Sequence, residues 1–238
     1  AAQICRKRFP EKEFLVVRDT QKALIPCAIP YIFGELGTTD RNILPDALAT
    51  KTGAEVLIDR VESIDRENKA CTTESGETIA YEKLIIATGS QPAVPRWLGG
   101  AELPNVYTVP KNRDYVEEMV QKLPKNGTVA VIGAGFIGVE LADQLRDMPM
   151  NVHLVELLPH ILGLAFDEEI ATEAEKLLKE KEISLHTGVG VEEIVGETKA
   201  TAVRLSNGEE LAVDAVVLAM PSVIAPRSGT SLPVAPVV

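Results

Sequence analysis

Apolar residues in this chain follow two patterns. Short unbroken runs rich in Val and Ile predict buried parallel strands, and stretches where apolar residues recur every three or four positions predict amphipathic helices. The most ordered passage is Thr128 to Glu156, TVAVIGAGFIGVELADQLRDMPMNVHLVE. It predicts a strand over Thr128–Ile132, a helix over Val139–Arg146 and a second strand over Val152–Val155 that ends in Glu156. Upstream, Ala1–Phe9 reads as the tail of an amphipathic helix with Cys5 on its buried face, stopped by Pro10, and Phe14–Val17 as a strand. Ala54–Tyr81 alternates and carries turn signals at Asp65–Asn68 and Ser75-Gly76, which predicts a three-stranded meander. Leu84–Ala87 then predicts a buried strand that runs into Thr88-Gly89.

The second half follows the same order. Asp167–Glu182 predicts a charged helix with Ile170, Ala174, Leu177 and Leu178 on one face. Ser184–His186, Glu193–Val195 and Ala200–Leu205 predict strands, Asn207-Gly208 a turn, and Val213–Ala219 a closing strand. The segments SGETIAYEKLIIATG and NGEELAVDAVVLAMP align without a gap. Helix, strand, meander and closing strand therefore occur twice. A repeat of this length points to two homologous Rossmann-like nucleotide-binding units in an α/β fold, not to a solenoid. Gln91–Pro110, with four prolines, reads as a linker before a helix over Arg113–Leu123. The tail, 221–238, is Pro-rich and without periodicity, so little regular structure is expected there.

The turn Gly133-Ala134-Gly135-Phe136-Ile137-Gly138 carries the chemistry. Gly133 permits the tight strand-to-helix turn, Gly135 lets a pyrophosphate approach the backbone, and Gly138 lets helix and strand pack closely. The amides at the N-terminus of the helix and its dipole supply the positive end for phosphate, and Phe136 and Ile137 count with the glycines as candidate cofactor-binding residues. At the end of the second strand, Glu156 is placed to accept hydrogen bonds from both ribose hydroxyls and to repel a 2′-phosphate, which favours NAD(H) over NADP(H). A bare GxGxxG is weak evidence; between a strand and a helix, with an acid about 20 residues on, it is strong. The plain alternative is a Gly-rich turn that binds nothing.

The 238 residues suffice for one large or two small domains, and 45% hydrophobic content supports a normal core. A net charge of −11 and pI near 4.9 argue against a nucleic-acid or anionic-membrane partner. No apolar window is long enough to span a membrane, and no signal peptide is visible. Three cysteines, with no CxxC or Cys/His cluster, argue against a disulfide framework or a zinc site and suit a reducing cytoplasm. No metal ligands are expected.

Three stretches, Ile25-Pro26-Cys27-Ala28-Ile29-Pro30-Tyr31, Ala87-Thr88-Gly89 and Gly133 to Glu140, resemble the FAD-dependent pyridine nucleotide–disulfide oxidoreductases. Within that family the resemblance is to the single-cysteine branch of NADH oxidases, NADH peroxidases and coenzyme A-disulfide reductases. It covers Ala1 to about Met220, with Ala28 replacing the usual Gly. It implies an FAD half surrounding an inserted NAD half, here 1–107 and 108–220. It also implies hydride transfer from NADH through flavin to a cysteine sulfur or oxygen, with disulfide, polysulfide or peroxide as further acceptors. Departures are expected to matter. The first Gly-rich turn would fall before Ala1, Pro221 stands where a Gly is usual, and neither a second FAD segment nor the dimerisation domain of the homodimeric parent family follows. The chain therefore reads as incomplete.

The resemblance implies Cys27 as the redox centre. Pro30 suits the first turn of a helix, and a sulfur at a helix N-terminus has a stabilised thiolate; the alternative is a small buried hydrophobe. It implies that Phe136 covers the flavin and swings aside for nicotinamide, that Glu140 lies near the nicotinamide, and that Thr88 and Gly89 pass close to a cofactor. Arg18 stands where an acid usually holds the FAD ribose, so Asp19 is the substitute, and Val61 offers backbone to adenine. Cys71 reads as structural. His153, His160 and His186 have no acid or metal-spaced partner in the sequence and read as core or surface residues. Two other functions stay open: an NAD-binding module without flavin or turnover, and a flavoprotein reductase of a ferredoxin or quinone in which Cys27 is idle.

Overall fold

The computed structural model describes residues 2–51, 53–220 and 222–223; the rest of the expected Pro-rich tail lies outside them. Contacts divide the chain into two compact units. One holds Ala1–Ala23 with Ile43–Ser90, and the other holds Leu24–Asn42 with Gln91–Ser222. The Cys27 segment thus packs with the residues expected to bind NAD.

The first unit begins with α1 (Ala2–Arg8) and β1 (Leu15–Arg18), followed by the short helix α2 (Ala47–Thr50) and β2 (Glu55–Ile58). β1 and β2 pair in parallel. β3 (Val61–Asp65), β4 (Ala70–Thr73) and β5 (Thr78–Ala80) form an antiparallel meander. The meander is therefore shorter than expected, because Glu55–Ile58 leaves it to join β1. Helix α1 buries no residue and Cys5 is half-exposed, which corrects its expected burial.

In the second unit, after the two-residue β6 (Gln91–Pro92), come β7 (Val106–Thr108), α3 (Arg113–Lys122), β8 (Thr128–Ile132), α4 (Phe136–Arg146) and β9 (Asn151–Glu156). Then follow α5 (Glu168–Glu180), β10 (Ser184–Thr187), the meander β11 (Val191–Val195), β12 (Ala202–Leu205) and β13 (Glu210–Ala212), and β14 (Ala215–Leu218). The sheet order is β10-β9-β8-β14-β7, parallel throughout. This is the Rossmann order, with an antiparallel meander as the crossover into β14. Ala130, Ile132, Val155, Val216 and Leu218 of the sheet share one core cluster with Ile194, Val203 and Leu205 of the meander. Asn105 stitches the two layers, donating from Nδ2 to the Ala200 and Asp214 carbonyls at 2.9 and 2.7 Å.

The repeat extends to individual hydrogen bonds. Thr73 N–H donates to the Glu77 carbonyl at 2.9 Å and Leu205 N–H to Glu209 at 2.8 Å; Tyr81 N–H donates to Lys69 and Val213 N–H to Thr201, both at 2.9 Å. Each pair matches under the gapless alignment. Both meanders also carry a bulge after the first residue of their first strand, at Val61/Ser63 and Val191/Glu193.

The likeness stops at the closing strand. β14 lies between β8 and β7 and is fully buried, whereas Leu84–Ala87 forms no strand, with Leu84, Ile85 and Ile86 exposed by 39, 61 and 47%. A buried parallel strand needs a hydrogen-bonded neighbour, and no strand among the described residues runs beside 84–87. Helix α5 corrects the sequence reading too. Its buried face is Ala171, Glu175 and Leu178, while Ile170 and Leu177 are 56 and 60% exposed.

Candidate functional site

The three motif glycines have three different surroundings. Gly133 sits at φ +98°, where its N–H donates to the Val155 carbonyl at 2.8 Å, and a Cβ would stand 2.9 Å from the Ala219 carbonyl oxygen. A Cβ on Gly138 would stand 1.8 Å from the Gly133 carbonyl oxygen. A Cβ on Gly135 would meet nothing within 4 Å. Two glycines are thus required by the protein's own packing, and the third leaves open space. α4 starts directly after Gly135, so the amides of Phe136, Ile137 and Gly138 have no carbonyl one turn back within the helix and point outward as donors.

Glu156 is the last residue of β9. One of its carboxylate oxygens accepts the Ala134 N–H at 2.7 Å, and the other accepts the Leu158 N–H at 2.9 Å. The carboxylate therefore rests against the Gly-rich turn. The loop after it is clamped from the other side, where Leu162 N–H donates to the Ala134 carbonyl at 2.8 Å. Phe136 is 55% exposed and packs edge-on against Phe166 with ring centroids 5.7 Å apart. Glu140, one turn into α4, is half-buried, and burial raises its carboxyl above the usual range. A pocket of about 280 Å³ lies beside this loop, lined by Leu158, Pro159, His160, Leu164, Phe166 and Glu168 among others. The open Gly135, the helix N-terminal amides and the carboxylate at the end of β9 leave room and donors for an adenine dinucleotide.

Cys27 is exposed in a short 3-10 turn, Pro26–Ala28, and a second such turn, Pro30–Phe33, follows. Pro30 does open a turn, but no α-helix forms behind the sulfur, so the expected dipole stabilisation has nothing to carry it. Exposure also removes the reading of Cys27 as a buried hydrophobe. Cys71 is 4% exposed, and burial raises its thiol.

The candidate FAD residues all fall in the first unit. Asp19 follows the C-terminal end of β1, and Val61 lies three residues beyond the end of β2. In open α/β sheets that end of parallel strands is where cofactors bind. Thr88 and Gly89 are exposed; Gly89 sits at φ +73° and a Cβ there would meet nothing within 4 Å. Arg18 donates to Asp46 at 2.6 Å and to the Gln21 carbonyl at 2.8 Å.

The histidines have partners that their spacing hid. His153 Nδ1 and His186 Nε2 stand 3.0 Å apart on neighbouring strands, so one ring donates to the other. Burial, and then the His186 charge, lower the His153 pKa. His160 Nδ1 lies 3.1 Å from Glu175, a carboxylate only 8% exposed that also accepts the Ile161 N–H. Sequence reasoning missed Glu175 because its charge hides an inner-face position at i+4 from Ala171. Among the described residues no group of His, Cys, Asp and Glu is placed to hold a metal, and no helix is long and apolar enough to cross a membrane.

Comparison with known proteins agrees with this architecture. The family described as pyridine nucleotide-disulphide oxidoreductase matches residues 2–223. An NADH oxidase from Methanocaldococcus jannaschii is 30% identical over 229 residues, covering 92% of this chain and 50% of that protein. The chain thus spans half the length of that relative. A ferredoxin reductase from Rhodopseudomonas palustris superposes with a TM-score of 0.84 at 28% identity, covering 93% of this chain and 55% of that one. An NAD-dependent persulfide reductase from A. fulgidus gives 0.83 at 28% identity, over 94% of this chain and 44% of that one. With its Rossmann sheet, its repeated meander and a family match over nearly its whole length, the chain belongs to the pyridine nucleotide-disulphide oxidoreductase family.

Proposed function

We propose that this chain is the nucleotide-binding part of an FAD-dependent NAD(P)H oxidoreductase that prefers NADH and uses Cys27 as its redox relay. The observation that carries the reading is the Glu156 carboxylate held on the Ala134 amide beside an open Gly135. Phe136, Ile137 and Gly138 amides bind the pyrophosphate, Glu156 takes the ribose hydroxyls, and Phe136 gives way to the nicotinamide. Asp19, Val61, Thr88 and Gly89 hold the flavin. Bound flavin supplies acceptance of hydride and delivery of electrons. Glu140, its carboxyl raised by burial, stands beside the nicotinamide. Cys27 thiolate attacks one sulfur of a disulfide or polysulfide, breaking its S–S bond and releasing the other sulfur as a thiolate or shortened polysulfide. Two electrons from NADH then cleave the mixed disulfide so formed, releasing the second product thiol and returning Cys27 to the thiolate; peroxide and oxygen are the other acceptors. Three free cysteines suit a reducing cytoplasm.

A second reading rests on the missing helix behind Cys27. There the enzyme passes electrons to a ferredoxin or quinone and the cysteine is idle. Replacing Cys27 by Ser separates the two. On the relay reading, disulfide reduction falls to background while NADH-dependent reduction of a dye persists. Undiminished disulfide reduction overturns the relay. A purified chain that binds NADH yet stays colourless with added FAD supports a nucleotide-binding module without turnover.

A further inference from the structure

The Cys27 segment has its own fixing points within the dinucleotide-binding unit. Gln144 of α4 is 7% exposed, and its Oε1 accepts the Glu35 N–H at 3.0 Å. Gly34 comes so close to this residue that a Cβ there would lie 2.7 Å from the Gln144 carbonyl oxygen. Glu117 of α3 accepts both the N–H and the hydroxyl of Thr39, at 3.0 and 2.6 Å, and Thr39 is fully buried. Arg113, at the start of α3, donates to Asp40 at 2.8 Å. The hold then passes back to the thiol. Ile25 N–H donates to the Asn42 carbonyl at 3.0 Å, and Asn42 Nδ2 donates to the Ile25 carbonyl at 3.3 Å. Ile25 is two residues from Cys27. Between these points Ile32 and Phe33 are buried, while Cys27 stays exposed.

We propose that Gln144 and Glu117 are positioning residues for Cys27. The helix that opens on the dinucleotide site at Phe136 also holds the thiol-bearing segment at Gln144, about 12 Å further along its axis. A rigid element shared in this way ties the place of the sulfur to the place of the nicotinamide nucleotide. The inference rests on the reading of Cys27 as the relay, and it assigns the side chains that set the relay's geometry. Gln144 lies near the end of α4 away from the Gly-rich turn and Glu117 lies on α3, so their effect is expected on the cysteine half of turnover.

The test compares Gln144→Met, which keeps length and removes the acceptor, with Gln144→Glu, which keeps an acceptor, and adds Glu117→Leu. Hydrogen exchange read by mass spectrometry is expected to quicken about tenfold over 25–42 in Gln144→Met and Glu117→Leu, the loss of one buried hydrogen bond. The strands 128–132 and 151–156 should stay unchanged, and Gln144→Glu should keep the parent rates. In the flavin-bound protein, NADH-driven flavin reduction and its KM are expected to hold while the cysteine-dependent step slows. Unchanged exchange over 25–42 in Gln144→Met, or equal acceleration across the protein, overturns the inference. Should Glu117→Leu fail to fold, the two Gln144 variants decide. If Cys27→Ser leaves disulfide reduction whole, the relay reading falls, and the exchange of 25–42 still decides whether these side chains hold the segment.

Discussion

At Gly138 the methyl group of alanine would meet the Gly133 carbonyl oxygen at 1.8 Å, a backbone atom that cannot rotate away. Gly138→Ala is expected to destabilise the protein by about 2 kcal/mol, read as a lower midpoint in urea. Gly135→Ala meets only open space, so it should leave the midpoint in place and weaken NADH binding; an unchanged affinity would remove Gly135 from the site. Glu156→Ala removes the charged acceptor on the Ala134 amide. NADH affinity should drop about ten- to hundredfold, and the bias against NADPH should shrink. A preference left intact in titrations with both nucleotides would contradict the ribose assignment. His153 carries a pH prediction. Its folded pKa lies below the usual 6.5, so the folded state favours the neutral ring. The stability this contributes is present above pH 6.5 and is lost as pH falls from there through the lowered value. Urea midpoints of the parent and of His153→Gln should therefore diverge less at pH 5 than at pH 7.5.

Elements with the same sequence pattern meet different fates in the two units. The meanders agree down to their bulges and turn hydrogen bonds because each closes on itself through local antiparallel pairing. The closing strands disagree because a parallel strand depends on neighbours far away in the chain. β14 finds β8 and β7 beside it, and Leu84–Ala87 finds no strand among the described residues. Amides of 84–87 are expected to exchange with solvent orders of magnitude faster than those of 215–218. Comparable protection of the two segments would show that 84–87 is paired after all. Helix α5 teaches a related point, since its inner face includes a carboxylate. Glu175 faces inward because His160 and the Ile161 amide satisfy it there, and an apolar count along the helix selects the wrong face by one position.

The two units carry separate roles in the proposed enzyme, with the NAD residues and Cys27 in one and the FAD candidates in the other. NADH at a hundred times its Kd should raise stability by about 2.7 kcal/mol. The added exchange protection is expected in β8, the start of α4 and the end of β9, leaving β3 to β5 as they were. Protection in β3 to β5 without change around Gly133 would place the nucleotide elsewhere. The net charge of −11 belongs to the chain taken together, and weak retention on nucleic acid at low salt is the expected outcome that a binding assay would check.

The amino-acid sequence by itself determined what depends on neighbours along the chain. The Gly-rich turn needs Gly133 and Gly138 for steric reasons that any strand-to-helix junction of this kind imposes. The strand before it and the meander after it follow from apolar periodicity and turn residues. Only the tertiary structure decided what depends on partners distant in sequence. It paired His153 with His186 and His160 with Glu175, left Cys27 without an α-helix behind it, and latched its segment to Gln144 and Glu117. It also withheld strand structure from 84–87. A hydrogen bond across the fold has no period in the sequence, so spacing alone does not reveal which polar residue will be buried or beside what.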